Sequence, residues 1–248
     1  MPELNFTSFS NKFSDGVSMF FSHIPKTAGS TFVEFFRKHY EEISNFWYAE
    51  DQRSAFLNKL QTEENTKYRI SGGHFTLYEA SKRIESRTLY LSFVRHPVDR
   101  MVSYYNFSRI THTKNLMSSA AREMDLKDFL HFLEKDRPRI LKNQQCRYLS
   151  GKESLDDQLD ISFADVRQSW QDKEILVLPS NLCSQVIKLL SGLIDSNKRM
   201  EITNVKVSKI NKTKAIDREC IDIIIENNQA DLELFNAHCH IADKINYS

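Results

Sequence analysis

Residues 17–40 read VSMFFSHIPKTAGSTFVEFFRKHY, and the order of residue types along them decides the fold class. Val17 to His23 is a short apolar run rich in aromatics, about the length of a buried strand. Phe32, Phe35 and Phe36 then recur at helical spacing. Between the two lies His23-Ile24-Pro25-Lys26-Thr27-Ala28-Gly29-Ser30-Thr31, a loop leading into the amino terminus of a helix. Unpaired amides and the positive end of the helix dipole favour a phosphate there. Gly29 lets the backbone approach closely, Ser30 and Thr31 supply hydroxyl donors, and Lys26 brings a mobile charge. A Walker A loop places its lysine directly after its last glycine. Here Lys26 precedes Gly29 by three, which disfavours a nucleotide kinase. Taken alone, the segment also fits an ordinary turn with a solvated lysine.

Working outward, Thr88 to Val94 (TLYLSFV) is the clearest strand in the chain, and Pro97 sits where it can open a helix through Met101 and Tyr105. Arg95 falls where that strand ends and Ser103 two turns into the helix, so both can converge on one anion at the carboxyl ends of the strands. Arginine offers the planar fork that suits a phosphate. A capping arginine and a buried serine are the alternative for this segment alone. A short strand is predicted over Tyr68 to Ser71, ending at Gly72-Gly73, and another over Glu174 to Leu178. Helices are predicted over Asp51 to Leu60, through Met124 to Gly151 with a break at Pro138, and over Ile161 to Trp170. Ser180 is the expected N-cap of a helix carrying Leu182, Val186, Leu189 and Leu190. The tail from Ala215 to Ile245 reads as helical, interrupted near Asn227-Asn228. Alternating strands and helices predict an α/β protein: a P-loop-like, mainly parallel central sheet flanked by helices, with a helical C-terminal part. No repeat or linker divides it, and residues 1–248 are read as a single domain.

Composition narrows the class. At 248 residues the chain buries a core without a disulfide or metal staple. Hydrophobic residues at 40% and charged residues at 27% are ordinary for a globular protein, and 6 Gly with 5 Pro exclude a collagen-like chain. The net charge of +1 gives no global field toward nucleic acid or an anionic membrane, so a bound anion needs a local site. Cys146, Cys183, Cys220 and Cys239 form no CxxC pair and read as reduced, mostly buried thiols. The start, MPELNFTSFSNKFSDG, lacks the pattern of a signal peptide, and no apolar run approaches the roughly 20 residues of a membrane helix. A cytoplasmic protein is expected, and the sequons at Asn5, Asn106 and Asn211 then read as chance.

Taken together and in this order, HIPKTAGSTF and FVRHPVDRMVSYY resemble the paired loops of sulfotransferases that use 3′-phosphoadenosine 5′-phosphosulfate (PAPS). The wording is most similar to the carbohydrate branch, which includes the heparan sulfate 2-O- and 6-O-sulfotransferases. NQQCRYLSG at 143–151 and INKTK at 210–214 are less specific likenesses to it. The resemblance implies sulfuryl transfer from PAPS to a hydroxyl of a small-molecule or carbohydrate acceptor, leaving 3′-phosphoadenosine 5′-phosphate (PAP). It implies that Lys26 contacts the sulfuryl group and bridging oxygen. Gly29, Ser30 and Thr31 would cradle the 5′-phosphate, Thr27 and Ala28 would shape that cradle, and Arg95 with Ser103 would grip the 3′-phosphate. Positioning and charge stabilisation carry such a transfer, and no metal is demanded.

The acceptor hydroxyl needs a base, and His is the side chain that titrates nearest neutrality. His74, in Ser71-Gly72-Gly73-His74-Phe75, matches the catalytic histidine that the carbohydrate branch carries in a similar segment. His23 is its rival, while His96 reads as structural. Consecutive helical residues point about 100° apart, which argues against a metal site at His238-Cys239-His240. Two basic clusters (Lys82, Arg83 and Arg87; Arg137, Arg139, Lys142 and Arg147) suit an acidic sugar or simply a solvated face, and Phe46, Trp47 and Tyr48 suit a sugar ring or the core. A P-loop kinase and a non-catalytic nucleotide-binding module are the two rival functions.

Overall fold

A computed structural model describes residues 5–47, 68–84, 87–113, 115–152, 160–196 and 216–240. The first element, α1 (Phe6–Ser14), is capped by Asn5, whose side chain accepts from the Ser8 amide at 2.8 Å. Then come β1 (Met19–Ser22), α2 (Gly29–His39), β2 (Ser44–Trp47), β3 (Ile70–Gly73), α3 (Leu77–Ser81), β4 (Leu89–Val94) and α4 (Pro97–Ile110). The middle is helical, with α5 (Leu116–Glu123), α6 (Leu126–Asp136), α7 (Pro138–Leu141), α8 (Gln144–Leu149) and α9 (Phe163–Ser169). After β5 (Glu174–Pro179) follow α10 (Cys183–Ile194), α11 (Arg218–Glu226) and α12 (Gln229–Cys239).

The five strands form one sheet in the order β2-β3-β1-β4-β5, and every neighbouring pair is parallel. The α/β expectation therefore holds: a central parallel sheet flanked by helices. Both faces are covered, which is why β1, β3 and β4 are buried along their whole length and read as unbroken apolar or small-residue runs. Side chains alternate between the faces. Phe21, Leu91 and Phe93 join Phe9, Phe13, Phe32, Phe36, Val186 and Leu190 on one side, with α1, α2 and α10. Phe20, Tyr90 and Val177 join Ala80, Leu149, Val166 and Leu234 on the other, with α3, α8, α9 and α12. Each fully buried Phe contributes about 1.5–3 kcal/mol of transfer free energy. A third cluster, with Met101, Phe129, Leu133 and Ile224, ties α4, α5, α6 and α11 together beside the sheet.

Two boundaries differ from expectation. The third strand begins at Ile70 and takes in both glycines, at which a Cβ would run into the carbonyl of a neighbouring strand. A Cβ on Gly73 would lie 2.1 Å from the Trp47 carbonyl oxygen. Ser180 does not cap α10. The chain tightens into a 3-10 turn over Ser180–Leu182, and α10 starts from Leu182 with no side-chain cap bond. Pro138 ends α6 and becomes the first residue of α7, as its missing N–H allows. The break at Asn227-Asn228 separates α11 from α12. The helix expected over Asp51 to Leu60 and the INKTK segment lie outside the described residues. Among the described residues no helix is long and apolar enough to cross a membrane.

Candidate active site

All five strands point the same way, so the segments leaving β1, β3, β4 and β5 emerge together at the carboxyl edge of the sheet. Open α/β sheets bind ligands at that edge. These four segments, with α4 and α12, enclose a cavity of about 640 Å³. Lys26, Ala28, Gly29, Ser30, Thr31, His74, Arg95 and Ser103 all line it, as does His23. The two loops found in the sequence are thus brought to one site.

The first loop is shaped by its backbone. Lys26 and Ala28 both take left-handed conformations, with φ of 71° and 68°. Alternating conformations of this kind turn successive N–H groups toward one point and form an anion-binding concavity. Ala28 occupies the N-cap position of α2 and makes no side-chain cap bond; its carbonyl accepts from the Thr31 amide at 3.1 Å, and Gly29, Ser30 and Thr31 of the first turn line the cavity. Thr27 is different. Its side chain is fully buried and its hydroxyl donates to the Ile24 carbonyl at 2.9 Å, so it braces the loop from within and does not reach the cavity. Gly29 lies against the His23 ring, and a Cβ there would come within 2.0 Å of it.

The histidines follow from strand register. Ser22 pairs with Gly73, so the next residues, His23 and His74, emerge side by side with ring centroids 4.3 Å apart. His74 Nδ1 lies 2.9 Å from the His23 carbonyl oxygen. A carbonyl only accepts, so Nδ1 carries a proton, and in the neutral ring the lone pair is at Nε2. His23 is 3% exposed, and burial first, then His74 and Lys26, hold its pKa well below the usual histidine value. At neutral pH its ring is uncharged. Of the two rivals, His74 is half-buried on the cavity wall, whereas His23 is enclosed between Phe21, His74 and Gly29. The Lys26 ammonium sits 4.0 Å over the Phe107 ring, a cation–π contact at the cavity edge.

The sequence reading missed part of the wall. Asp99, Tyr104 and Phe107 line the cavity from α4, and the signal was available: Asp99 and Phe107 lie four residues either side of Ser103, on the same helical face. Asn181, Phe235 and Cys239 also line the cavity, from elements distant in sequence, and carry no local motif. His96 stands at the head of α4 with its ring edge-on to Phe235 at 5.5 Å. Neither basic cluster lines the cavity. Phe46 belongs to the first core cluster and Trp47 packs against the second, so both serve the core, while Tyr48 lies outside the described residues. His238 is buried with Nδ1 2.7 Å from the Leu234 carbonyl, while Cys239 turns to the cavity, so neighbours in that triplet diverge. Among the described residues no group of three or more His, Cys, Asp or Glu could hold a metal ion.

Lys26, Arg95, the start of α2 with its hydroxyls, and His74 are thus brought to one cavity. The sulfotransferase family model matches residues 12–174, from α1 to the first residue of β5, and the chain belongs to that family. Among solved structures it is similar to mouse sulfotransferase SULT7A1 complexed with PAP, at 12% identity and a TM-score of 0.38, covering 93% of this chain and 72% of that one. No curated protein matches the chain.

Proposed function

We propose that the chain is a PAPS-dependent sulfotransferase, acting as one domain over residues 1–248, that moves a sulfuryl group to a hydroxyl of a carbohydrate acceptor. The observation that carries the reading is the common cavity. His74 lines it together with Lys26, a backbone-built anion loop and Arg95. Bound PAPS would supply an activated sulfur and, in PAP, a leaving group. Ser30, Thr31 and the first-turn amides of α2 hold its 5′-phosphate, and Arg95 with Ser103 holds its 3′-phosphate. His74 Nε2 takes the acceptor proton as the acceptor oxygen bonds to sulfur. Lys26 stabilises the negative charge left on the phosphate oxygen as the sulfur–oxygen bond to it breaks. His23, held neutral, orients His74 through its carbonyl.

A thermal-shift titration with PAP, ADP and ATP with Mg²⁺ tests the donor. At 100 times Kd, PAP is expected to add about 2.7 kcal/mol of stability and ADP far less at the same concentration. Stabilisation by ATP with Mg²⁺ alone would point to a kinase. With an acceptor in hand, Lys26→Ala and His74→Ala are each expected to lower turnover at least about 10²-fold. Binding of PAP without transfer to any hydroxyl would identify a non-catalytic module.

A further inference from the structure

Arg95 sits between elements: β4 ends at Val94 and α4 begins at Pro97. Its backbone groups are taken by one side chain from another part of the chain. The Arg95 N–H donates to Gln145 Oε1 at 2.8 Å, and Gln145 Nε2 donates to the Arg95 carbonyl at 2.9 Å. Gln145, on α8, is fully buried, so the pair forms without competing water. A two-point clamp of this kind fixes the peptide planes on both sides of Arg95, and with them the direction in which its side chain leaves.

The clamp is itself anchored. Asn143, at the N-cap of α8, is left-handed (φ 44°) and makes no side-chain cap bond to its own helix. Asp231 of α12 does this instead, accepting from the Gln145 amide at 3.0 Å and the Cys146 amide at 2.8 Å. Asn143 Oδ1 in return accepts from the Asp231 amide at 3.2 Å. Asp231 and Arg100 are both fully buried, and the negative charge of Asp231 works against the lowering of the Arg100 pKa by burial. Arg100 also donates to Gln144 Oε1 at 2.5 Å and to the Ile140 carbonyl at 3.2 Å. The charges and bonds of this layer thus converge on α8, one step behind the cavity wall.

We infer that Gln145 is a positioning residue for recognition of the donor's 3′-phosphate: it aims Arg95, and Asp231 in turn seats Gln145. The inference rests on the proposed donor reading and adds to it the group that makes Arg95 selective. Misplacing a binding group by about 1 Å costs up to about 10²-fold, so the clamp has a measurable consequence for ligands that carry a 3′-phosphate and none for those that lack it.

The test compares PAP with adenosine 5′-phosphate, identical but for the 3′-phosphate, by calorimetry on wild type and Gln145→Met. Methionine keeps the volume and loses both bonds. PAP binding is expected to weaken by about 10- to 100-fold, adenosine 5′-phosphate binding to change less than about twofold, and the preference for PAP to collapse. Where Gln145→Met does not yield folded protein, Gln145→Glu, which keeps the acceptor and loses the donor, is expected to show the same selective loss. An unchanged preference in a folded variant, or equal losses for both ligands, overturns the inference. A wild type that fails to distinguish the two ligands overturns the assignment of Arg95 to the 3′-phosphate beneath it, and is read before any variant.

Discussion

The two anion loops are built on opposite plans. The loop after β1 uses its own backbone: two left-handed residues, a cap position without a side-chain cap bond, and a glycine pressed against a histidine ring. The segment after β4 contains no left-handed residue and relies on a side chain, Arg95, whose backbone is held by Gln145 from behind. Its one left-handed support, Asn143, lies a layer back, at the entry to α8. A loop that binds through amides must carry its own shape, whereas one that binds through a side chain can have its shape imposed from elsewhere. Damage to the first should therefore affect every ligand with a 5′-phosphate, and damage to the second only ligands with a 3′-phosphate.

Among changes that separate the two loops by their own residues, the largest expected effect is Gly29→Ala. Its Cβ would stand 2.0 Å from the His23 ring, which is buried and stacked between Phe21 and His74 and has nowhere to retreat. Overpacking of this kind costs about 1–3 kcal/mol, and the distortion falls on the phosphate cradle and the proposed base together. PAP and adenosine 5′-phosphate should both bind at least about tenfold weaker by calorimetry, with PAP still preferred. A loss confined to PAP would break the contrast between the loops. Arg95→Lys comes next. The charge stays and the planar fork goes, so about a tenfold loss is expected for PAP alone, measured in the same titrations.

The difference in plan also explains what could be read from sequence. The strand–loop–helix order of the first loop was legible because its strand, turn residues and helix are contiguous, from Met19 to His39, but the inward turn of Thr27 was not. Arg95 and Ser103 were legible because β4 and α4 adjoin. Gln145 and Asp231 were not, since their roles arise from hydrogen bonds spanning 50 and 86 residues. The wall formed by Asn181, Phe235 and Cys239 was hidden for the same reason. Shorter errors have local causes. The four residues of β2 are too few to show a period, and α1, with Phe6, Phe9 and Phe13 at helical spacing, was masked by polar residues between them. The Ser180 cap failed because a serine before an apolar helix can equally open a 3-10 turn.

The smallest expected effect isolates backbone shape from binding chemistry, at Ala28. A non-glycine residue held left-handed, here at φ 68° and ψ 3°, costs about 1–2 kcal/mol that glycine does not incur. Glycine returns part of that gain, about 0.4–1 kcal/mol, through the greater freedom of the unfolded chain. Ala28→Gly should thus be net stabilising by about 0.5 kcal/mol, a rise in Tm of about 1–2 °C for a chain of this size, with PAP affinity unchanged because the amides stay in place. Ala28→Val should move the other way, since a branched Cβ is a genuine outlier at positive φ, and should weaken PAP and adenosine 5′-phosphate alike. If both variants left Tm and affinity where they were, the left-handed turn would not be what shapes the first loop, and the division between a backbone-built and a side-chain-built site would fail there.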